Sequence, residues 1–499
     1  GSNVVHPNYL TATKNPWELE HGGRLTIEDK ERCFVQARHY SYGGDNKHYY
    51  INDKENPYEE IKRYVWVRAY VLGGRSLLWA RMCYRWSDLD FEANAKDGYG
   101  VDWPIRYKDL EKWYGYVESF IGVSGQREGL PHFPDMNLQP PMEMNCAEKN
   151  FRERLSKVLP TRTITMGRSA NLTQPVKGRG VCQSRNLCHR GCPYGAYFST
   201  NASTLPAAFE TGNFTLRSNS LVNKVIYDEQ KQRAAGVEII DTETNEVMEF
   251  YSSVIFLNAA TLATTFILLN SISSRFPNGL GNGSDQVGRN LMDHHKGAGA
   301  SARVEGFEDQ YYIGRRPIGI YMPRFRNLDS KSKMNYLRGF GLQGGASRSG
   351  WHSVSSEAIG MELKQAVQQP GPWSVSMGGF GECLPYPDNR VTLNTNLKDK
   401  YGRNCLSMNV EFRENEKTMN QDIAQSAAET MEACGYKNVR MNTGMSFPGN
   451  ANHEMGTARM GRDPKTSVLN AYNQMHAVKN VFITDGSCMT SSSCVNPSL

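Results

Sequence analysis

The sequence predicts an α/β protein in which a doubly wound sheet unit is interrupted by a second unit built on an antiparallel sheet. Three stretches carry that expectation. "EVMEFYSSVIFLNAA" followed by "TLATTFILLNSI" reads as strand, small-residue turn and helix, the grammar of a doubly wound sheet. Residues 297–447 mix strands with long polar helices such as "NEKTMNQDIAQSAAETMEACG", closed by Gly435. "NVFITDGS", near the C-terminus, then returns to a strand that runs into a turn. At 499 residues the chain is too long for one hydrophobic core, so more than one packed unit is expected.

The elements follow in order. "WVRAYVLGGRSLLWARMCYRW" (Trp66 to Trp86) reads as a β-rich run, a double-glycine turn and an aromatic and aliphatic segment. "SDLDFEANAKDG" and "RYKDLEKWYGYVESFIG" carry helical patterns, with Pro104 ahead of the second. Strands resume with "FTLRSNSLVNKVIYD", then "RAAGVEIIDTET" with Gly236 at a turn. The apolar end of "SSVIFLNAA" reads as a strand buried on both faces, and Thr261 stands near the start of the next helix.

Composition excludes several classes. Hydrophobic residues at 39% and charged residues at 22% describe a folded globular chain. The net charge of +6 is spread out, with no basic block that would point to nucleic acid. The most apolar run, Val254 to Asn270, is broken by Asn258 and threonines and falls short of the roughly 20 residues a spanning helix needs. The N-terminus shows no signal-peptide pattern, and the eleven cysteines are mostly scattered, so neither fixes the compartment.

Glycine-rich loops are a false lead. "GFGLQG" (Gly339, Gly341, Gly344) matches G-x-G-x-x-G but neither follows a buried strand nor opens a helix, so it reads as a glycine-rich loop. "NGLGNGSDQVGRNLMDHH" fails in the same way.

"GNANHEMGTARMG" (Gly449 to Gly461) isolates His453 among small and polar residues. "HEMGT" lacks the second histidine of H-E-x-x-H, which argues against a zinc site. In "DHH" (Asp293 to His295) adjacent side chains diverge, so a structural or loop role is expected there. A catalytic role for His453 needs a partner, and Asp485, Ser487 and Asn496 lie downstream. The residues alone leave a catalytic base and an ordinary hydrogen-bonded histidine both open.

"H-x-x-G-T-x-x-M-G" (His453 to Gly461), "V-x-N-V-F-I-T-D-G-S" (Val478 to Ser487) and Asn496–Pro497 together resemble the C-terminal signature of the glucose–methanol–choline (GMC) flavin oxidoreductases. "GGRSLLW" (Gly73 to Trp79), "NAATLATTFILLNS" (Asn258 to Ser271) and "VGRNLMDH" (Val287 to His294) resemble further motifs of the family, in its order. The resemblance implies a Rossmann-like FAD-binding domain and an α+β substrate domain with an antiparallel sheet, similar to that of p-hydroxybenzoate hydroxylase. The expected division is residues 1–296 for FAD binding, with a flavin-covering insertion at about 40–150. Residues 297–447 would bind substrate, and 448–499 would return to the FAD-binding domain with the catalytic residues. The family's opening G-x-G-x-x-G segment and closing helix have no counterpart here, so this chain by itself is expected to hold FAD poorly or not at all.

The resemblance further implies that His453 is the general base and Asn496 a hydrogen-bond donor to the developing alkoxide. It assigns cofactor contacts to Gly73, Gly74, Ser76, Val222, Ala259, Asp485 and Gly486. The expected reaction is oxidation of a CH–OH group of a sugar, sugar acid or polyol, with hydride passing to flavin N5. The alternatives are an oxidase that uses O₂ and a non-catalytic fragment with a broken flavin site. "GVCQSRNLCHRGCPYGAY" resembles the segment that carries an iron–sulfur cluster in the bacterial dehydrogenase branch, with Cys182, Cys188 and Cys192 as ligands. One expected cysteine is replaced by Gln183, which favours a disulfide or packed free thiols over a cluster. An electron-transfer partner or small subunit is expected from the same branch; the compartment stays open, with the periplasm slightly favoured over the cytoplasm.

Overall fold

The strand Ile255–Leu257 runs parallel to Val481–Ile483, although some 220 residues separate them, with Phe256 opposite Phe482. In the computed structural model, which describes residues 9–311, 316–350 and 358–499, this pair is the hub of the first unit. The opening text around Asn3 lies outside the described residues. The helix Thr261–Asn270 follows the first of these strands and buries Leu262, Ile267, Leu268 and Leu269. Burial at about 1.5–3 kcal/mol per large apolar side chain fixes the helix against the pair. The antiparallel strands Ser220–Asp228, Arg233–Asp241 and Val247–Tyr251 form a separate sheet beside them.

A second core is organised by a six-stranded sheet. Its order is Lys437–Asn442, His295–Val304, Trp373–Gly381, Phe340–Arg348, Ile320–Met322 and Thr165–Met166, antiparallel throughout. The helices Glu414–Ala433 and Cys146–Val158 cover it, burying Met419, Ile423, Phe151 and Leu155. This core therefore reaches beyond residues 297–447. Asn145 caps the second helix by accepting from Glu148 N, while Glu148 accepts from Asn145 N and from Arg316.

Several sequence expectations need correction. Gly236 is not at a turn: it sits inside a strand, opposite Ile226 and Tyr251, where an added Cβ would lie 2.1 Å from the Phe250 carbonyl oxygen. "GFGLQG" is no loop: Phe340–Arg348 is an interior strand, and a Cβ on Gly344 would lie 1.8 Å from Ser376 O. Both glycines exist for close strand approach. Ile255–Leu257 is covered on one face only, because Phe256 is 59% exposed and stacks on Phe482. The run from Trp66 makes no strand ladder. The Gln36 side chain takes the place of one, donating to Trp66 O and accepting from Arg68 N.

Candidate functional site

The loop that carries His453 is shaped by one carboxylate. Asp293, fully buried, accepts from the backbone N–H groups of Gly449, Ala451 and His453 at 2.8, 3.2 and 3.0 Å. Burial and the nearby Glu454 carboxylate push the Asp293 carboxyl up to about 7, against the pull of the backbone donors. The ring of His453 is thereby aimed at a cavity of about 490 Å³, within the usual range for small-molecule sites.

Asn496, which precedes the cavity-lining Pro497, meets His453 with Nδ2 3.3 Å from Nε2. Its other amide atom, Oδ1, accepts from Gln343 Nε2 at 2.7 Å, and Gln343 comes from the strand Phe340–Arg348 of the six-stranded sheet. On the far side of the imidazole, His453 Nδ1 lies 2.7 Å from Nδ1 of His294, whose Nε2 contacts the Ser493 carbonyl. Burial, then the neighbouring His294, Lys296 and Arg75, drive the His453 pKa well below its ordinary value. Burial holds that of His294 at about 4. Both rings are neutral at neutral pH.

The backbone of Ser493 is fixed by buried hydroxyls on the neighbouring run. Ser493 Oγ donates to Asp90 at 2.7 Å, Ser492 Oγ bridges the Cys383 carbonyl and amide, and Trp103 Nε1 donates to Ser491 Oγ. Three consecutive serines are buried without loss because each hydroxyl has a partner.

The expected cofactor contacts fall into three groups. Asp485 and Gly486 line the His453 cavity, and Asp485 is fixed by Thr264 Oγ1 at 2.5 Å and Ser487 N at 2.9 Å. Val222 and Ala259 line a neighbouring cavity of about 340 Å³ along the three-stranded sheet. Asn258 borders both cavities, so the two groups share one continuous wall. Gly73, Gly74 and Ser76 line neither cavity. Gly73 is left-handed at φ 97° and opens the turn Gly74–Leu77, and Ser76 Oγ donates back to Gly73 O at 2.6 Å. From this turn only Arg75 reaches the cavity wall, where Nη1 meets both carboxylate oxygens of Glu454.

The wall suits a polar ligand with planar rings. Asn452 Oδ1 and Asn473 Oδ1 are buried beside the cavity without a hydrogen-bond partner, while Tyr84, Trp86, Phe91 and Trp103 supply aromatic surface. These residues fit FAD.

Sequence reasoning placed His453 and Asn496 in one site and missed four others. Asp293 and His294 were read as a structural or loop pair, whereas one shapes the loop of His453 and the other bonds its ring. Gln343 and Arg75 reach the site by side chains whose partners lie far away in the chain.

Cys182, Cys188 and Cys192 are free and partly buried, and burial raises the thiols of the first two. Among the described residues no group of three or more His, Cys, Asp or Glu side chains is arranged to hold a metal. The cysteines form no disulfide. No helix among the described residues is long and apolar enough to cross a membrane.

Two family models, both described as GMC oxidoreductase, match residues 57–296 and 385–499, well over half of the chain. The chain is 28% identical to 2-methyl-1,2-propanediol dehydrogenase of Mycolicibacterium austroafricanum over 85% of its length and 77% of the relative's. It is 26% identical to the fructose dehydrogenase large subunit of Gluconobacter japonicus, covering 86% and 77%. In fold it is similar to pyridoxine 4-oxidase from Mesorbium loti, with a TM-score of 0.56 at 16% identity, covering 86% of this chain and 81% of that one.

Proposed function

The chain belongs to the GMC oxidoreductase family, FAD-dependent enzymes that act on CH–OH groups, and from that premise we propose that it oxidises a sugar, sugar acid or polyol with His453 as base. One observation carries the reading: Asn496 Nδ2 lies 3.3 Å from Nε2 of His453, a residue of the cavity wall. The contact is a direct hydrogen bond, so an alcohol oxygen that bonds to both nitrogens displaces it and moves the two side chains apart.

Oxidation removes a proton from oxygen and a hydride from carbon, leaving a carbonyl. Bound FAD supplies the hydride acceptor. The protein handles the proton: the neutral His453 Nε2 accepts it from the hydroxyl. Asn496 Nδ2 donates to the same oxygen as negative charge develops, and Gln343 holds the amide in that orientation. Tyr84, Trp86 and Phe91 line the cavity with aromatic surface, which would exclude water from a bound substrate.

The substrate class rests on the relatives, a diol dehydrogenase and a fructose dehydrogenase subunit by name. The second of these names also supports docking to an electron-accepting subunit, and acceptors other than O₂. In the FAD-loaded protein, His453→Ala should slow flavin reduction by fructose or a small 1,2-diol by about 10³-fold. Unchanged reduction would reject the assignment. Dye reduction measured beside peroxide release separates a dehydrogenase from an oxidase.

A further inference from the structure

Five groups lie in one line of hydrogen bonds: Gln343, Asn496, His453, His294 and the Ser493 carbonyl. Each link between the rings and amides can in principle run in either direction. The end of the line cannot, because a backbone carbonyl only accepts. His294 Nε2 must therefore carry the proton that faces Ser493. A neutral imidazole has one N–H, so His294 Nδ1 is left as an acceptor. The 2.7 Å contact then requires the proton on His453 Nδ1, and His453 Nε2 is bare. Asn496 must in turn present its NH₂ to that lone pair and its oxygen to Gln343, whose NH₂ completes the chain.

We propose that His294 is a positioning residue that locks His453 in the Nδ1–H tautomer and so makes the His453–Asn496 pair a proton acceptor beside a hydrogen-bond donor. The inference rests on the reading of His453 as the base. An alcohol entering this pair gives its proton to Nε2 and accepts a bond from Nδ2 of Asn496, the arrangement that removes a proton. In the opposite tautomer every arrow reverses. His453 would then donate from Nε2, the amide oxygen of Asn496 would face the substrate, and the alcohol would be held without a base to deprotonate it.

The surroundings support a lock rather than a relay. His294 is fully buried and packs edge-on against both His453 and Phe380. Its far nitrogen faces a carbonyl that cannot take up a proton, so the proton gained by His453 has no onward path through His294. The carbonyl itself is immobilised by the bonded hydroxyls of Ser492 and Ser493. A neutral partner also leaves His453 a weaker base than a carboxylate would, which matches the fully neutral ring.

The test is long-range ¹H–¹⁵N NMR of the FAD-loaded protein labelled with ring-¹⁵N histidine, the His453 signals being those lost in His453→Ala. The expected wild-type pattern is a protonated Nδ1 and a bare Nε2. His294→Leu should shift His453 toward the Nε2–H form and lower kcat by about 10²-fold, with KM changed far less. His294→Asn, whose amide oxygen overlies the lost Nδ1, should restore part of both. A wild-type His453 protonated on Nε2 overturns the inference, and so does an unchanged tautomer in His294→Leu. The wild-type spectrum decides even where a variant fails to fold. Flavin reduction that persists in His453→Ala overturns instead the assignment of the base, so the two failures are distinct.

Discussion

Arg75 Nη1 lies 2.9 and 2.7 Å from the two carboxylate oxygens of Glu454, joining the Gly73–Leu77 turn to the residue next to His453. The Glu454 side chain is 1% exposed and that of Arg75 28%. Removing one partner of such a pair leaves a poorly solvated charge, at a cost of about 3–5 kcal/mol. Glu454→Gln should therefore lower the thermal unfolding midpoint by several degrees. A midpoint within one degree of wild type would show that the pair does not hold the two loops together.

Asn496→Ala removes the donor to the developing alkoxide while leaving the base in place. The loss should fall on kcat, by about 10²–10³-fold, since such a bond strengthens as charge develops on oxygen. Steady-state kinetics on the FAD-loaded enzyme check this, and an effect confined to KM would reassign Asn496 to ground-state binding.

Buried histidines make the fold acid-sensitive. Burial holds His294 at about 4, and both His295 and His39 at about 3, against about 6.5 in an unfolded chain. His295 is faced by Asn420, Phe412 and His294, and His39 by Lys296 and Arg75. The unfolded chain binds these protons first, so the stability is present above pH 6.5 and is lost as the pH falls through about 4 toward 3. Each ring contributes on the order of a few kcal/mol over that window. His295→Leu should flatten the acid limb of a stability–pH curve measured by urea unfolding, and an unaltered limb would contradict the sign.

The cysteine segment should hold no cluster. Protein purified without oxygen should contain no stoichiometric iron, and Cys182→Ser should leave the rate of flavin reduction as it is. Stoichiometric iron lost in that variant would establish a cluster.

Legibility in the sequence followed the range of the interaction. The helices Tyr107–Ile121 and Glu414–Ala433 were readable because periodicity and their closing glycines are local signals. Gly236 and Gly344 were misread because glycine marks a turn and a close strand approach alike, and only the strand opposite decides between them. "DHH" was read as a structural or loop run, since its side chains diverge. Divergence, however, sent Asp293 to a backbone loop and His294 to a ring 159 residues away, which no spacing rule anticipates. His453 and Asn496 were paired through family motifs rather than residue chemistry. Gln343 carried no signal, for its role exists only once the six-stranded sheet is formed.

Gln343 also makes the site a witness to correct assembly. It projects from the strand Phe340–Arg348, which pairs with its two neighbours residue by residue, Gln343 opposite Gly378 on one side and Tyr321 on the other. A slip of one residue in that ladder would turn its side chain to the opposite face. The molecule would remain folded in outline and could still admit a ligand, but the Asn496 amide would be free to rotate. Turnover in this protein thus reports on the registry of a sheet whose backbone touches no reacting atom.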